Sequence, residues 1–200
     1  DAHGRDLFIR VIYGTKVSLI VGIVASIINF TIGDAYGGVA GYLGGRADNI
    51  MMRIVDVLST IPLTLYVILL MVWMPENRGM QNILVAIGTV YWIGMARIVR
   101  GQIFSLKEQE YVMAERVLGA SGSRILFKHL IPNALGPIIV NLTMSIPSAI
   151  FTEAFLSFIG LGISAPRASL GSLCNDVLDK FAIHPHLLFF PALALCLIIL

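Results

Sequence analysis

Charge is scarce in this chain. Asp, Glu, Lys and Arg make up 13% of its 200 residues, about half of what ordinary soluble domains carry, so a water-covered surface of normal size is excluded. A mean hydropathy of +0.86 points to lipid as the solvent. Basic residues are equally sparse: the net charge is only +2, and no run of them interleaves with aromatics, which sets nucleic acid aside. Cysteine is limited to Cys174 and Cys196, too few and wrongly spaced for a disulfide framework or a metal site. Cys196 lies in an apolar run, where a thiol packs as a small hydrophobe. The histidines at 3, 129, 184 and 186 form no His-Glu-x-x-His or similar set, and no nucleophile stands near a base. No catalytic residue, resident metal or cofactor is therefore expected on this chain. A signal peptide is missing as well, because Arg5, Asp6, Arg10 and Lys16 interrupt the first sixteen residues.

What the chain does have is long apolar blocks separated by short charged segments, the pattern of serial membrane crossings by helices of about 20 residues. The expected fold class is all-α and multi-pass. Spans are expected at about Val17 to Tyr42, Ile50 to Met74, Met80 to Val99 and Asn133 to Ile159, and Leu187 to Leu200 reads as the start of a fifth. That makes residues 1–16 an N-terminal segment before one membrane domain, 17–200. The absent initiator Met and the stop inside an apolar run suggest that both ends are cut. Pro62, lacking an amide hydrogen, should kink the second span. Gly33, Gly37, Gly41 and Gly45 recur every four residues and should let another helix come close.

Orientation follows from basic residues near span ends. Six of them (Arg97, Arg100, Lys107, Arg116, Arg124 and Lys128) lie between 97 and 128, which puts the 101–131 loop inside. Alternation then places Gly44 to Asn49 inside and the N-terminal segment outside, against the pull of Arg5, Arg10 and Lys16.

Within the inside loop, Tyr111 to Leu118 reads as a short helix stopped by Gly119 and the Ser121-Gly122-Ser123 turn, with a second helix starting near Ser123. Tyr111, Ala114 and Leu118 share a small apolar face with Glu115 and Arg116 beside it. Such a face suits a shallow groove on another protein; the plainer alternative is a helix lying on the membrane surface.

With Gly119 and Pro132 as anchors, the spacing resembles the EAA loop of ATP-binding-cassette importer permeases: Glu-Ala-Ala, three residues, Gly, nine residues, then Ile-x-Leu-Pro. Ala114 matches the first Ala. Met113 stands in the Glu position, Glu115 in the second Ala position, His129 in the Ile position and Ile131 in the Leu position. The stretches 4–6, 43–45, 99–101, 129–133 and 156–162 resemble the dipeptide, oligopeptide and nickel branch in particular. The resemblance covers essentially the whole chain and implies a type I importer permease fold in a bacterial or archaeal cytoplasmic membrane. The implied partners are a second homologous permease, two cytoplasmic ATPases that bind ATP and Mg, an external solute-binding protein and membrane lipid. It also implies ATPase-coupling roles for Tyr111, Met113, Ala114, Glu115, Arg116, Leu118, Gly119, Ala120 and Pro132 in a loop at 101–132.

Polar residues inside the spans are the other candidates. Asn141, Ser145, Ser148 and Thr152 recur at four, three and four residues and draw a stripe along one face; it either lines a translocation path or bridges helices. Asp34, Asp56 and Glu153 are costly at membrane depth and need partners or water. Asp56 and Ser59 share a helical face, and Arg53, three residues before Asp56, offers a local ion pair. Glu153 lies near the expected outer end of its span, where gating or docking is conceivable. An ion-gradient-driven secondary transporter is the rival reading, since buried carboxylates and broken helices are also its hallmarks.

Overall fold

A computed structural model describes residues 6–73, 79–163, 167–178 and 183–200, and these are mostly helical with no strand among them. Helix α1 runs Leu7–Leu43, so it starts ten residues before the expected span start at Val17. Asp6 explains the early start, its carboxylate accepting the free amides of Phe8 at 2.8 Å and Ile9 at 3.3 Å. At 1.5 Å per residue α1 is about 55 Å long, well beyond a hydrocarbon core of about 30 Å.

Then come α2 (Gly45–Thr60), α3 (Leu63–Trp73), α4 (Gly79–Val90) and α5 (Trp92–Leu106). The chain breaks between α2 and α3, as expected at Pro62: Ile61, just before the proline, is extended at φ −86° and ψ 121°. Met80–Leu106 counts as one apolar span despite the short break at Tyr91. It continues seven residues past the expected end at Val99, so the inside loop is shorter than the charge pattern suggests.

The loop carries α6 (Glu110–Val117) and α7 (Gly122–Arg124), followed by a π-helical segment Ile125–Leu130 that leads into α8, Ile131–Phe158. Pro132 offers a cause for the widened segment. It cannot donate to the carbonyl four residues back, and the Ile131 amide reaches five back to Leu126, the bonding of a π turn. Asn133 caps the released backbone by donating to the His129 carbonyl at 2.5 Å. Last are α9 (Leu170–Asn175) and α10 (His186–Ile199).

Among the described residues, three helical runs are long and apolar enough to cross a membrane (Leu7–Leu43, Met80–Leu106 and Gly122–Phe158), and α2 with α3 makes a fourth if that pair is one broken span.

The chain forms two compact units, each built from segments far apart in sequence: residues 1–26, 63–87 and 145–200 in one, residues 27–62 and 88–144 in the other. In the second unit, Gly33, Gly37 and Gly41 turn a side-chain-free face to α5. A Cβ on Gly33 would stand 2.6 Å from that of Met95, one on Gly37 would overlap the Ala96 backbone, and one on Gly41 would stand 2.7 Å from the Arg100 carbonyl. Gly45 does not share the role, having nothing within 4 Å. The contact is fastened at one end by a two-pronged Arg100–Asp48 pair and by Lys107, which donates to the Gly41 carbonyl at 3.0 Å. Beside it, Met95, Val99 and Ile103 pack with Val112, Ile125, Leu126 and Leu130 into one buried cluster.

In the first unit, Val67, Ala86 and Leu156 form a core, and Gly171 abuts the Ala154 backbone so tightly that no Cβ fits.

Candidate functional site

Helix α6 hangs from the core of the second unit by one side chain, the fully buried Val112. Its other apolar residues face outward: Met113, Val117 at 89% and Leu118 at 81% exposure, with Tyr111 and Ala114 also exposed. The helix ends where expected. Gly119 adopts φ +81°, a conformation glycine reaches without strain, so its amide returns to the Arg116 carbonyl at 3.0 Å while that of Ala120 reaches Glu115 at 3.0 Å. This paired closure is the Schellman motif. Ser121 then caps α7 by accepting the Arg124 amide, and Ala120 turns inward onto the core. Glu115 Oε1 approaches His129 Nε2 to 3.5 Å with no hydrogen bond between them, a close contact between α6 and the π-helical segment that ends beside Pro132.

Of the nine coupling candidates, Tyr111, Met113, Ala114, Arg116, Leu118 and Gly119 share the exposed surface, Glu115 and Ala120 are half-buried behind it, and Pro132 is exposed at the start of α8, away from α6 in sequence. Val117 was absent from the sequence-based set although it is the most exposed apolar side chain of the loop. Its spacing of three and four residues from Ala114 and Met113 was the available signal.

The polar candidates fall apart into different roles. Asp56 pairs with Arg97, not with its helix neighbour Arg53: the guanidinium reaches Asp56 Oδ1 and Ser59 Oγ, both at 3.0 Å. Two side chains half-exposed to solvent make this pair, the placement expected of charges that meet water or another subunit instead of lipid. The 141–152 stripe is not one surface. Ser145 is buried and shares a 3.0 Å hydrogen bond with Ser26, the helix-bridging role, whereas Ser148 is exposed and Thr152 donates to its carbonyl. Asn141 is half-buried. Glu153 is fully buried, receiving hydrogen bonds from Ser18 and Ser157 at 2.7 Å each, so in this conformation its carboxylate reaches neither solute nor docking protein. Asp34 is buried too, and its Oδ1 has no hydrogen-bond partner among the described residues.

The loop presents an exposed apolar helix, and comparison with known proteins decides the family. Residues 35–200 match the family described as binding-protein-dependent transport system inner membrane component. The chain belongs to that family. It is 49% identical over 197 residues to the oligopeptide transport system permease protein OppC of Bacillus subtilis, covering 98% of this chain and 64% of that protein. It is 53% identical over 193 residues to the dipeptide transport system permease protein DppC of the same organism, covering 96% and 60%. It therefore spans about three-fifths of the length of these relatives. Among solved structures, an inward-facing conformation of the MetNI methionine ABC transporter superposes with a TM-score of 0.74 over 96% of this chain and 90% of that one at 21% identity. That likeness speaks for the fold alone.

This inner membrane component has two unpaired cysteines, Cys174 buried and Cys196 exposed. Burial, and after it the charge of Cys196, push the Cys174 thiol up to about 11. Thiolate then makes up only about 0.1% at pH 8, against roughly a quarter for an unperturbed thiol near 8.5. Maleimide labelling of Cys174 in the folded protein should be at least about two-hundredfold slower than in the unfolded chain and rise about tenfold per pH unit up to pH 10. Mass spectrometry of time points checks this; rapid labelling at pH 7 would refute it.

Proposed function

We propose that this chain is the permease subunit of an ATP-binding-cassette importer, forming half of a translocation path for peptides or related small solutes across the bacterial cytoplasmic membrane. The observation that carries this is the family match together with the outward apolar face of α6. Two cytoplasmic ATPases bind ATP and Mg and dock on that face; a second homologous permease completes the path, and an external binding protein delivers solute. The chain performs no chemistry. Closure of the ATPase dimer pushes on α6, and the anchors at Val112 and Glu115–His129 pass the movement to the spans, rocking them between inward-open and outward-open states.

In this reading α1, the broken pair α2–α3, α4 with α5, and α7 with α8 are four spans of a permease domain at 17–200, and α10 opens a fifth. Residues 1–16 are outside, so the first turns of α1 stand clear of the hydrocarbon, and the 101–132 segment is inside. Asp56 and Ser59, with Arg97, together with Asn141, Ser148 and Thr152, are the residues available to line the path. Membership of the family favours this over an ion-gradient-driven transporter.

Purification of the full-length protein from its native membrane in mild detergent tests the proposal. ATPase subunits and a homologous permease should accompany it in mass spectrometry. Recovery without any ATPase, in a form that still moves solute on an ion gradient, would overturn it.

A further inference from the structure

The end of α8 and the start of α1 enclose, within the first unit, a polar cleft of about 200 Å³ whose lining includes Arg10, Arg167, Ser157, Ser172, Asn175 and Asp176. Most of its polar groups are already committed. Arg10 pairs with Asp176 at 3.1 Å, Ser157 donates to the buried Glu153, Asn175 donates to the Phe158 carbonyl, and Ser172 is tied to Ser169 by the α9 cap. Arg167 differs. It is exposed, lines the cleft, and makes no hydrogen bond or ion pair with any described residue. Among the described residues that line it, Arg10 and Asp176 offset one another and Arg167 adds one further positive charge, on walls fixed by internal bonds.

A planar guanidinium in such a place matches a carboxylate in two-pronged geometry. The volume lies below the roughly 300 Å³ at which small-molecule pockets begin, so the cleft takes one side chain and not a whole solute. Its side of the membrane follows from α8, whose 28 residues extend about 42 Å and exceed a hydrocarbon core of about 30 Å. One end of α8 adjoins the loop assigned to the inside; the cleft is at the other.

We propose that this cleft is a docking subsite for an Asp or Glu side chain of the external solute-binding protein, with Arg167 as its anchor. The inference rests on the importer reading above and adds the residue and the charge that receive the partner.

The test uses the complete transporter in lipid vesicles, with ATP hydrolysis measured against the concentration of solute-loaded binding protein. Arg167→Glu should raise the half-maximal concentration at least tenfold and leave basal hydrolysis unchanged; Arg167→Gln should give a smaller rise. Raising salt from 50 to 300 mM should weaken the wild type more than Arg167→Gln, because the attraction is electrostatic. An unchanged half-maximal concentration in Arg167→Glu overturns the docking assignment while leaving the importer reading intact. So does labelling of Arg167→Cys from the cytoplasmic side alone, or an effect that tracks anionic lipid content and not binding protein. If the binding protein stimulates not even the wild type, it is the importer reading that fails.

Discussion

Ala114→Arg should abolish solute uptake and strip the ATPase subunits from the purified protein, while the amount inserted in the membrane stays at the wild-type level. Ala114 is exposed on α6 next to Met113, Val117 and Leu118, so the new charge leaves the core untouched and, in the proposed function, would meet the ATPase. An unpaired charge forced into a desolvated contact costs several kcal/mol, and about 1.4 kcal/mol is a factor of ten in binding. Uptake and ATPase retention should therefore fall on the order of a hundredfold. Val117→Ala and Leu118→Ala remove apolar area without adding charge and should each weaken retention by roughly tenfold at most. Transport assays in vesicles and quantification of copurified ATPase read both. Uptake at the wild-type rate by Ala114→Arg would sink the coupling role of α6.

Gly37→Leu should leave little folded protein after extraction. Its first side-chain carbon alone overlaps the Ala96 backbone, and backbone cannot rotate aside as a side chain can. Overpacking inside an established contact costs about 3 kcal/mol or more when it drives helices apart, and here the Arg100–Asp48 pair and the Lys107 bond to Gly41 resist the separation. Thermal unfolding in detergent, followed by aggregation onset, should show a clear drop in midpoint. The control is Gly94→Ala, a helical glycine with nothing within 4 Å, which should be neutral or stabilising by up to about 1 kcal/mol. Equal midpoints for Gly37→Leu and the wild type would show that α1 and α5 do not pack as described.

The extent of the helices was legible where one local effect dominates. Pro62, with the extended Ile61 before it, breaks the helix between α2 and α3, and Gly119 with the serine turn closes α6 by conformational preference alone. Ends set by competing effects were missed. The Met80–Leu106 run continues past the arginines because Arg100 and Lys107 find partners on α1 and α2, so charges that read as a membrane exit are absorbed by the helix contact. Helical spacing offers Arg53 as a partner for Asp56 because it sees only near neighbours, yet the Arg97 guanidinium comes within 3.0 Å from another helix.

The candidate coupling site was the most readable part, since its spacing, cap and apolar face all lie within about twenty residues of chain. The sequence by itself determined that this is an all-helical chain suited to lipid, with a polar loop that presents an apolar helix face. Local propensity and hydropathy act over a few turns and need no knowledge of the rest of the molecule. The tertiary structure alone decided which polar side chains are spent and which stay open. Glu153 is closed off by Ser18 and Ser157, Ser145 by Ser26, and Arg167 lines a cleft with no partner among the described residues. Those outcomes depend on residues as many as 135 positions apart, brought together by helix packing that no periodicity in the chain encodes.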